Sequence, residues 1–301
     1  MTLKIDWLNG CATALVTPFK KDLSVDAECF QKLVERQIDQ GVKLLVPCGT
    51  TGESVTMTEN ERLRVIELTI EAARRKSALV IAGTGGNNTS ATIEFTRKAQ
   101  ELGADMALVV APYYNKPTQA GLFAHFKTIA DAVPDLPIML YNVPGRTCSN
   151  ISAETTLKLA DACENIVATK EASGNFSQIM EILRNRPPGF RVFSGDDATA
   201  LPMIALGAEG LVSVASNETP GLMSEMIAAA LAGDFRQARK IHFRVLPLME
   251  ANFIESSPAP LKFVMMQMGL LEDVLRLPLV PVTEKSQEIL REAVKNLNLF
   301  E

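Results

Sequence analysis

Eight short apolar runs punctuate the first 215 residues of this 301-residue chain, at 12–17, 44–48, 79–83, 106–111, 137–142, 166–170, 191–195 and 210–214. Each is too short for a buried helix, so each is read as a buried strand. The stretches between them repeat at helical spacing, as in Phe30, Leu33, Val34 and Ile38, or Leu63, Ile66, Ile70 and Ala73. The second of these opens with Thr58 and Glu61, a capping-box pair. Gly41, Gly103 and Gly207 each stand between a helical pattern and the next strand, where a left-handed residue ends a helix. Strands alternating with helices through short connectors must run parallel, and eight such units close into a (β/α)8 TIM barrel. A doubly wound sheet would be expected to carry a nucleotide fingerprint. GTGGNN at 83–88 lacks the last glycine of GxGxxG and follows the third strand, and no GxxxxGK[ST] loop is present.

Beyond residue 232 the strand rhythm stops. Helical patterns interrupted by prolines cover Phe235–Asn252, Pro258–Met268 and Glu284–Leu297. The expected organisation of this α/β chain is a catalytic barrel over 1–232 and a structural helical extension over 233–301. Apolar residues at 47% supply a large core, and a net charge of -5 without any basic cluster speaks against a nucleic-acid partner. No apolar run approaches the roughly 18 residues of a membrane span. The opening segment lacks the basic start and unbroken apolar core of a secretion signal. Five cysteines, odd in number and without a CxxC pair, suggest neither a disulfide framework nor a zinc site but reduced thiols in the cytoplasm. With His125 and His242 as the sole histidines, a histidine metal centre or a Ser-His-Asp triad has little material.

In such a barrel, function sits at the carboxyl ends of the strands. Those ends supply Thr17-Pro18, the GTTGES turn at 49–54, Gly83-Thr84, Tyr113-Tyr114, Tyr141-Asn142, Lys170-Glu171, Ser194-Gly195-Asp196 and Ser213. The set is rich in hydroxyls and holds one lysine, which favours imine chemistry over metal-assisted chemistry. A free lysine is neutral only roughly once in a thousand molecules near neutral pH, so an amine nucleophile needs its pKa brought to about 7 to 8, a cost of roughly 3 to 5 kcal/mol to the fold. A neutral Lys170 amine would attack a keto carbon, and the resulting imine would act as an electron sink for an enamine. Taken alone, NIVATKEASG reads equally well as a strand ending in a solvated lysine. Tyr141 suits a proton carrier, or a core aromatic whose hydroxyl finds a partner. The GTTGES turn offers N–H groups and hydroxyls to a carboxylate, or is a plain glycine turn. Arg146 could hold a second carboxylate in bidentate fashion, or decorate the surface.

GTTGES at 49–54, APYYNKP at 111–117, YNVPGRT at 141–147, ATKEASGN at 168–175, FSGDDA at 193–198 and GLVSV at 210–214 follow one another in that order. With ALVTPF near the start and RLPLVPVT late in the chain, the sequence resembles the dihydrodipicolinate synthase family, pyruvate-dependent class I aldolases, from end to end. The resemblance implies that Lys170 forms a Schiff base with pyruvate and that Tyr141 relays protons. It further implies that Thr50 links Tyr141 to a Tyr114 reaching in from a neighbouring subunit. Thr51 and the Val212 backbone would hold pyruvate, and Arg146 the carboxylate of aspartate semialdehyde. The implied product is 4-hydroxy-tetrahydrodipicolinate, on the diaminopimelate route to lysine. No cofactor or metal is implied. At least a dimer is implied, and commonly a homotetramer built as a dimer of dimers. Ser54, Asn87 and Tyr113 match positions that bind lysine in inhibited relatives. Glu59, Arg62 and Ala91 stand where sensitive enterobacterial members have two histidines and a glutamate, which implies weak or absent lysine inhibition. A sister aldolase such as N-acetylneuraminate lyase or a 2-keto-3-deoxy sugar acid aldolase is the competing enzyme reading. A non-catalytic keto-acid-binding barrel is the reading from another class.

Overall fold

The computed structural model describes residues 5–297 and 299. Its strands are β1 (Gly10–Ala14), β2 (Leu44–Val46), β3 (Leu79–Gly83), β4 (Met106–Val110), β5 (Ile138–Asn142), β6 (Ile166–Glu171), β7 (Arg191–Ser194) and β8 (Gly210–Ser213). They pair in chain order as a closed parallel barrel. The expected (β/α)8 architecture is the observed one. Helices α1 (Ala27–Asp39), α2 (Glu59–Lys76), α3 (Thr89–Leu102), α4 (Gln119–Ala132), α5 (Pro144–Thr147), α6 (Ala153–Ala162), α7 (Phe176–Asn185), α8 (Ala200–Ala205) and α9 (Pro220–Leu231) accompany the strands. Then come α10 (Phe235–Ala251), α11 (Ala259–Gln267) and α12 (Glu284–Val294). No helix among the described residues is long and apolar enough to cross a membrane.

Two strands stop two or more residues before the end of the apolar runs that announce them, each for a local reason. β2 ends at Val46 because Pro47 has no N–H to continue the ladder. β1 ends at Ala14, and the N–H of Val16 turns instead to the side-chain oxygen of Asn217 at 3.1 Å. The expected end at Thr17 therefore becomes three residues of buried loop.

Helix starts follow the capping rules. Asp26, Thr58, Asn88, Thr118, Ser152 and Asn175 each accept a backbone N–H three residues on, and Thr58 with Glu61 completes the capping box. Gly41, Gly103 and Gly207 carry φ of +93°, +97° and +106°, as helix ends before strands require.

Two compact units divide the chain, one built on Ile81–Val212 and the other on Cys11–Val80 with the segment from Ser213 onward. In the first, Leu122, Phe126, Ile129, Leu140, Leu159, Ile179, Ile182 and Val192 pack β4 to β7 against α4, α6 and α7. In the second, Val16, Leu33, Leu261 and Met265 belong to one apolar cluster, so α11 packs with α1.

Candidate active site

β5 and β6 are buried along their whole length and end in polar residues. Their pairing begins with Ile138 opposite Ile166, then skips Val167, so that Met139 meets Ala168 and Tyr141 meets Lys170. Without that extra residue Tyr141 would face Thr169. A bulge of this kind re-aims the side chains beyond it. Lys170 is 5% exposed and Tyr141 7%, and the Lys170 Nζ lies 4.2 Å from the centroid of the Tyr141 ring. The amine is thus sheltered rather than solvated, which decides against the solvated-lysine reading of this stretch.

Room for the lysine stem comes from the residue that follows β7. A Cβ built on Gly195 would lie 3.0 Å from Lys170 Cε and 2.7 Å from Ala172 Cβ. On the outer side of the end of β6, Glu171 is buried and accepts from Asn142 Nδ2 and Gln178 Nε2 and from the Ser173 N–H.

Arg146 lies in α5, one turn beyond β5, and is exposed. Tyr114 follows β4 and is 88% exposed with φ of +74°, a left-handed conformation costly for a tyrosine. Val212 is buried near the end of β8.

Thr50 and Thr51 belong to the other unit, in the turn after β2. Thr50 is exposed and Thr51 buried, and the Glu53 N–H closes the turn on the Thr50 carbonyl at 3.0 Å. Gly52 has no space for a side chain: its Cβ would sit 3.0 Å from the Leu15 carbonyl oxygen. Glu53 is left-handed, with φ of +51°, and its buried carboxylate pairs with the fully buried ammonium of Lys262. The Arg276 N–H adds a hydrogen bond to the same carboxylate at 3.2 Å. Lys262 also donates to the Val274 carbonyl at 2.8 Å and lies 4.3 Å from the centroid of the Phe19 ring. Just before the turn, burial pushes the Cys48 thiol up to about 12, so it stays protonated and is no nucleophile.

Among the described residues no group of three or more His, Cys, Asp or Glu is placed to hold a metal ion. What the arrangement offers chemically is an enclosed primary amine against a phenol ring.

The model of the Dihydrodipicolinate synthetase family matches residues 7–297. A 4-hydroxy-tetrahydrodipicolinate synthase from Chloroherpeton thalassium is 49% identical over 294 residues, covering 98% of this chain and 97% of that protein. This chain belongs to the dihydrodipicolinate synthetase family. Among solved members, the enzyme from Aquifex aeolicus superposes with a TM-score of 0.94 at 48% identity, covering 97% of this chain and 99% of that one. A member from Acinetobacter baumannii, solved in complex with pyruvate, gives a TM-score of 0.94 at 44% identity, with 97% and 99% covered.

Two features of this family member escaped the sequence. Asn142 and Glu171 were visible only as neighbours of Tyr141 and Lys170, because their mutual contact depends on the β5–β6 register. The Glu53–Lys262 pair spans more than two hundred residues, and nothing local in GTTGES or in APLKF at 259–263 announces it.

Proposed function

We propose that the chain condenses pyruvate with L-aspartate 4-semialdehyde to give 4-hydroxy-tetrahydrodipicolinate, the entry to diaminopimelate and lysine. The observation that carries this reading is the buried Lys170 amine in register with Tyr141 at the carboxyl end of a barrel strand. Family membership and the pyruvate complex of the Acinetobacter baumannii member support it.

In this mechanism the neutral Lys170 amine adds to the keto carbon of pyruvate, and loss of water leaves a protonated imine. A proton then leaves the methyl carbon, and the enamine carbon attacks the aldehyde carbon of the second substrate. The amino group of that substrate adds to the imine carbon and expels Lys170, which closes the ring and frees the enzyme. Tyr141 carries the protons, with Thr50 and a neighbouring subunit's copy of Tyr114 completing the relay. Thr51 and the Val212 backbone hold the pyruvate carboxylate, and Arg146 holds that of the semialdehyde in the bidentate manner suited to guanidinium. The 88% exposure and left-handed backbone of Tyr114 support a role outside its own subunit. The reading therefore includes a dimer at least, and a homotetramer as its fuller form. Free thiols at all five cysteines accord with a cytoplasmic setting. Residues from 233 on have a structural part, of which the Lys262 ion pair is the support.

Ala91, exposed in the first turn of α3, can offer no carboxylate to an inhibitor's ammonium group, so lysine feedback is weak or absent. Strong inhibition by sub-millimolar lysine would contradict this.

The deciding experiment is incubation with pyruvate, borohydride reduction and peptide mass mapping, followed by turnover with aspartate semialdehyde. One adduct on Lys170 and efficient condensation are expected. An adduct with turnover only of sugar-acid aldehydes would assign a sister aldolase, and no adduct would leave a binding barrel.

A further inference from the structure

Beyond Tyr141 and Lys170, the next register pair along β5 and β6 is Asn142 and Glu171. Side chains alternate along a strand, so this pair lies on the opposite face from the amine, towards the helices. Each is about 1% exposed. Glu171 accepts from Asn142 Nδ2 at 3.0 and 3.2 Å, from Gln178 Nε2 at 3.2 Å and from the Ser173 N–H at 2.7 Å. Asn142 in turn donates to Asn150 Oδ1 and accepts from the Ile151 N–H, both at 2.9 Å. These last two bonds tie together the ends of the segment that carries Arg146.

Every donor to Glu171 in this set is neutral. Burying a carboxylate among neutral donors is a poor way to stabilise a core, since packed apolar residues would do so without the desolvation cost. What the network does secure is placement. It ties the end of β5 to the end of β6 in the shifted register, and it fixes where the 142–151 segment leaves and returns.

We infer that Asn142 and Glu171 are positioning residues: from the outer face they lock the register that sets the Lys170 amine on Tyr141, and they hold the segment that presents Arg146 to the second substrate. The inference rests on the proposed condensation, and its test keeps the two separate. Three variants are needed: Asn142→Asp, which sets two carboxylates side by side; Glu171→Gln, which sets two amides side by side; and the exchange N142D/E171Q, which restores one of each with the roles reversed. Each single variant is expected to slow borohydride-trapped adduct formation with pyruvate and to raise KM for aspartate semialdehyde, each by about tenfold, the scale of coupling within one hydrogen-bonded network. The exchange is expected to recover most of both. A pair that served folding alone would change melting temperatures and leave the kinetics of the folded enzyme as they were. Wild-type kinetics in folded single variants, or a folded exchange no better than the worse single, would overturn the inference. If these variants fail to fold, Gln178→Met removes one donor from the rim of the network. It is expected to raise KM for the semialdehyde severalfold, and an unchanged KM would count equally against the inference. A wild-type chain that pyruvate and borohydride do not modify refutes the proposed reaction instead.

Discussion

A methyl group added at Gly195 would meet Ala172 Cβ at 2.7 Å and the Lys170 stem at 3.0 Å, and neither can retreat easily inside a packed barrel. Gly195→Ala should therefore displace the amine rather than remove it. Overpacking of this kind costs about 1–3 kcal/mol, so adduct formation with pyruvate should slow roughly tenfold to a hundredfold. Stopped borohydride trapping measures it, and an unchanged rate would show that the stem has room to spare. Tyr114→Phe separates two steps. It should impair turnover with aspartate semialdehyde while Lys170 remains trappable with pyruvate, and full turnover would remove Tyr114 from the relay. The place of Lys170 in a buried strand end was legible because an apolar run closes on it, whereas the space at Gly195 was not: a glycine in FSGDDA gives no sign of what its missing side chain makes room for.

At the scale of elements, the eight strands and the helices between them were readable because burial imposes its period on the sequence. Ends were harder. Pro47 could have been read as the stop to β2, but the turn of the Val16 N–H towards Asn217 depends on residues two hundred positions away. The skip at Val167 left no mark either, since Ile166, Val167 and Ala168 are all buried and would look the same in unbroken pairing. Legible capping chemistry gives a clean local test. Thr58→Ala removes the side chain that accepts the Glu61 N–H and caps α2, and should cost about 1 kcal/mol, read by denaturant unfolding, with kcat unchanged.

Two groups, the buried His125 and the partly exposed Glu61, bear on how the whole molecule responds to acid. Burial pushes His125 down from its ordinary 6.5 to about 4, and the Arg276 guanidinium holds Glu61 down from 4.5 to about 2. Both folded values are depressed, so the unfolded chain binds more protons on the acid side. Stability from His125 is complete above pH 6.5 and is lost as pH falls from 6.5 to 4. That from Glu61 is complete above 4.5 and is lost between 4.5 and 2. Melting temperatures of wild type and Glu61→Gln should therefore converge as pH falls through the lower window. A gap that stays constant would separate Glu61 from acid unfolding.

The Lys262–Glu53 pair makes a second prediction at this scale. Lys262→Met alone strands a buried carboxylate and should cost about 3–5 kcal/mol in urea unfolding, while E53Q/K262M should recover most of it. No recovery would mean that the ammonium contributes by packing on Phe19 rather than by charge.

That pair also bears on the order in which the protein can be finished. A ribosome that has made residues 1–232 has produced every strand of the barrel, yet the Glu53 carboxylate in the GTTGES turn still lacks its counter-ion. Only once Lys262 leaves the exit tunnel can Glu53 be neutralised, and the Arg276 N–H follows later still, so this turn is completed by residues made long after the barrel strands.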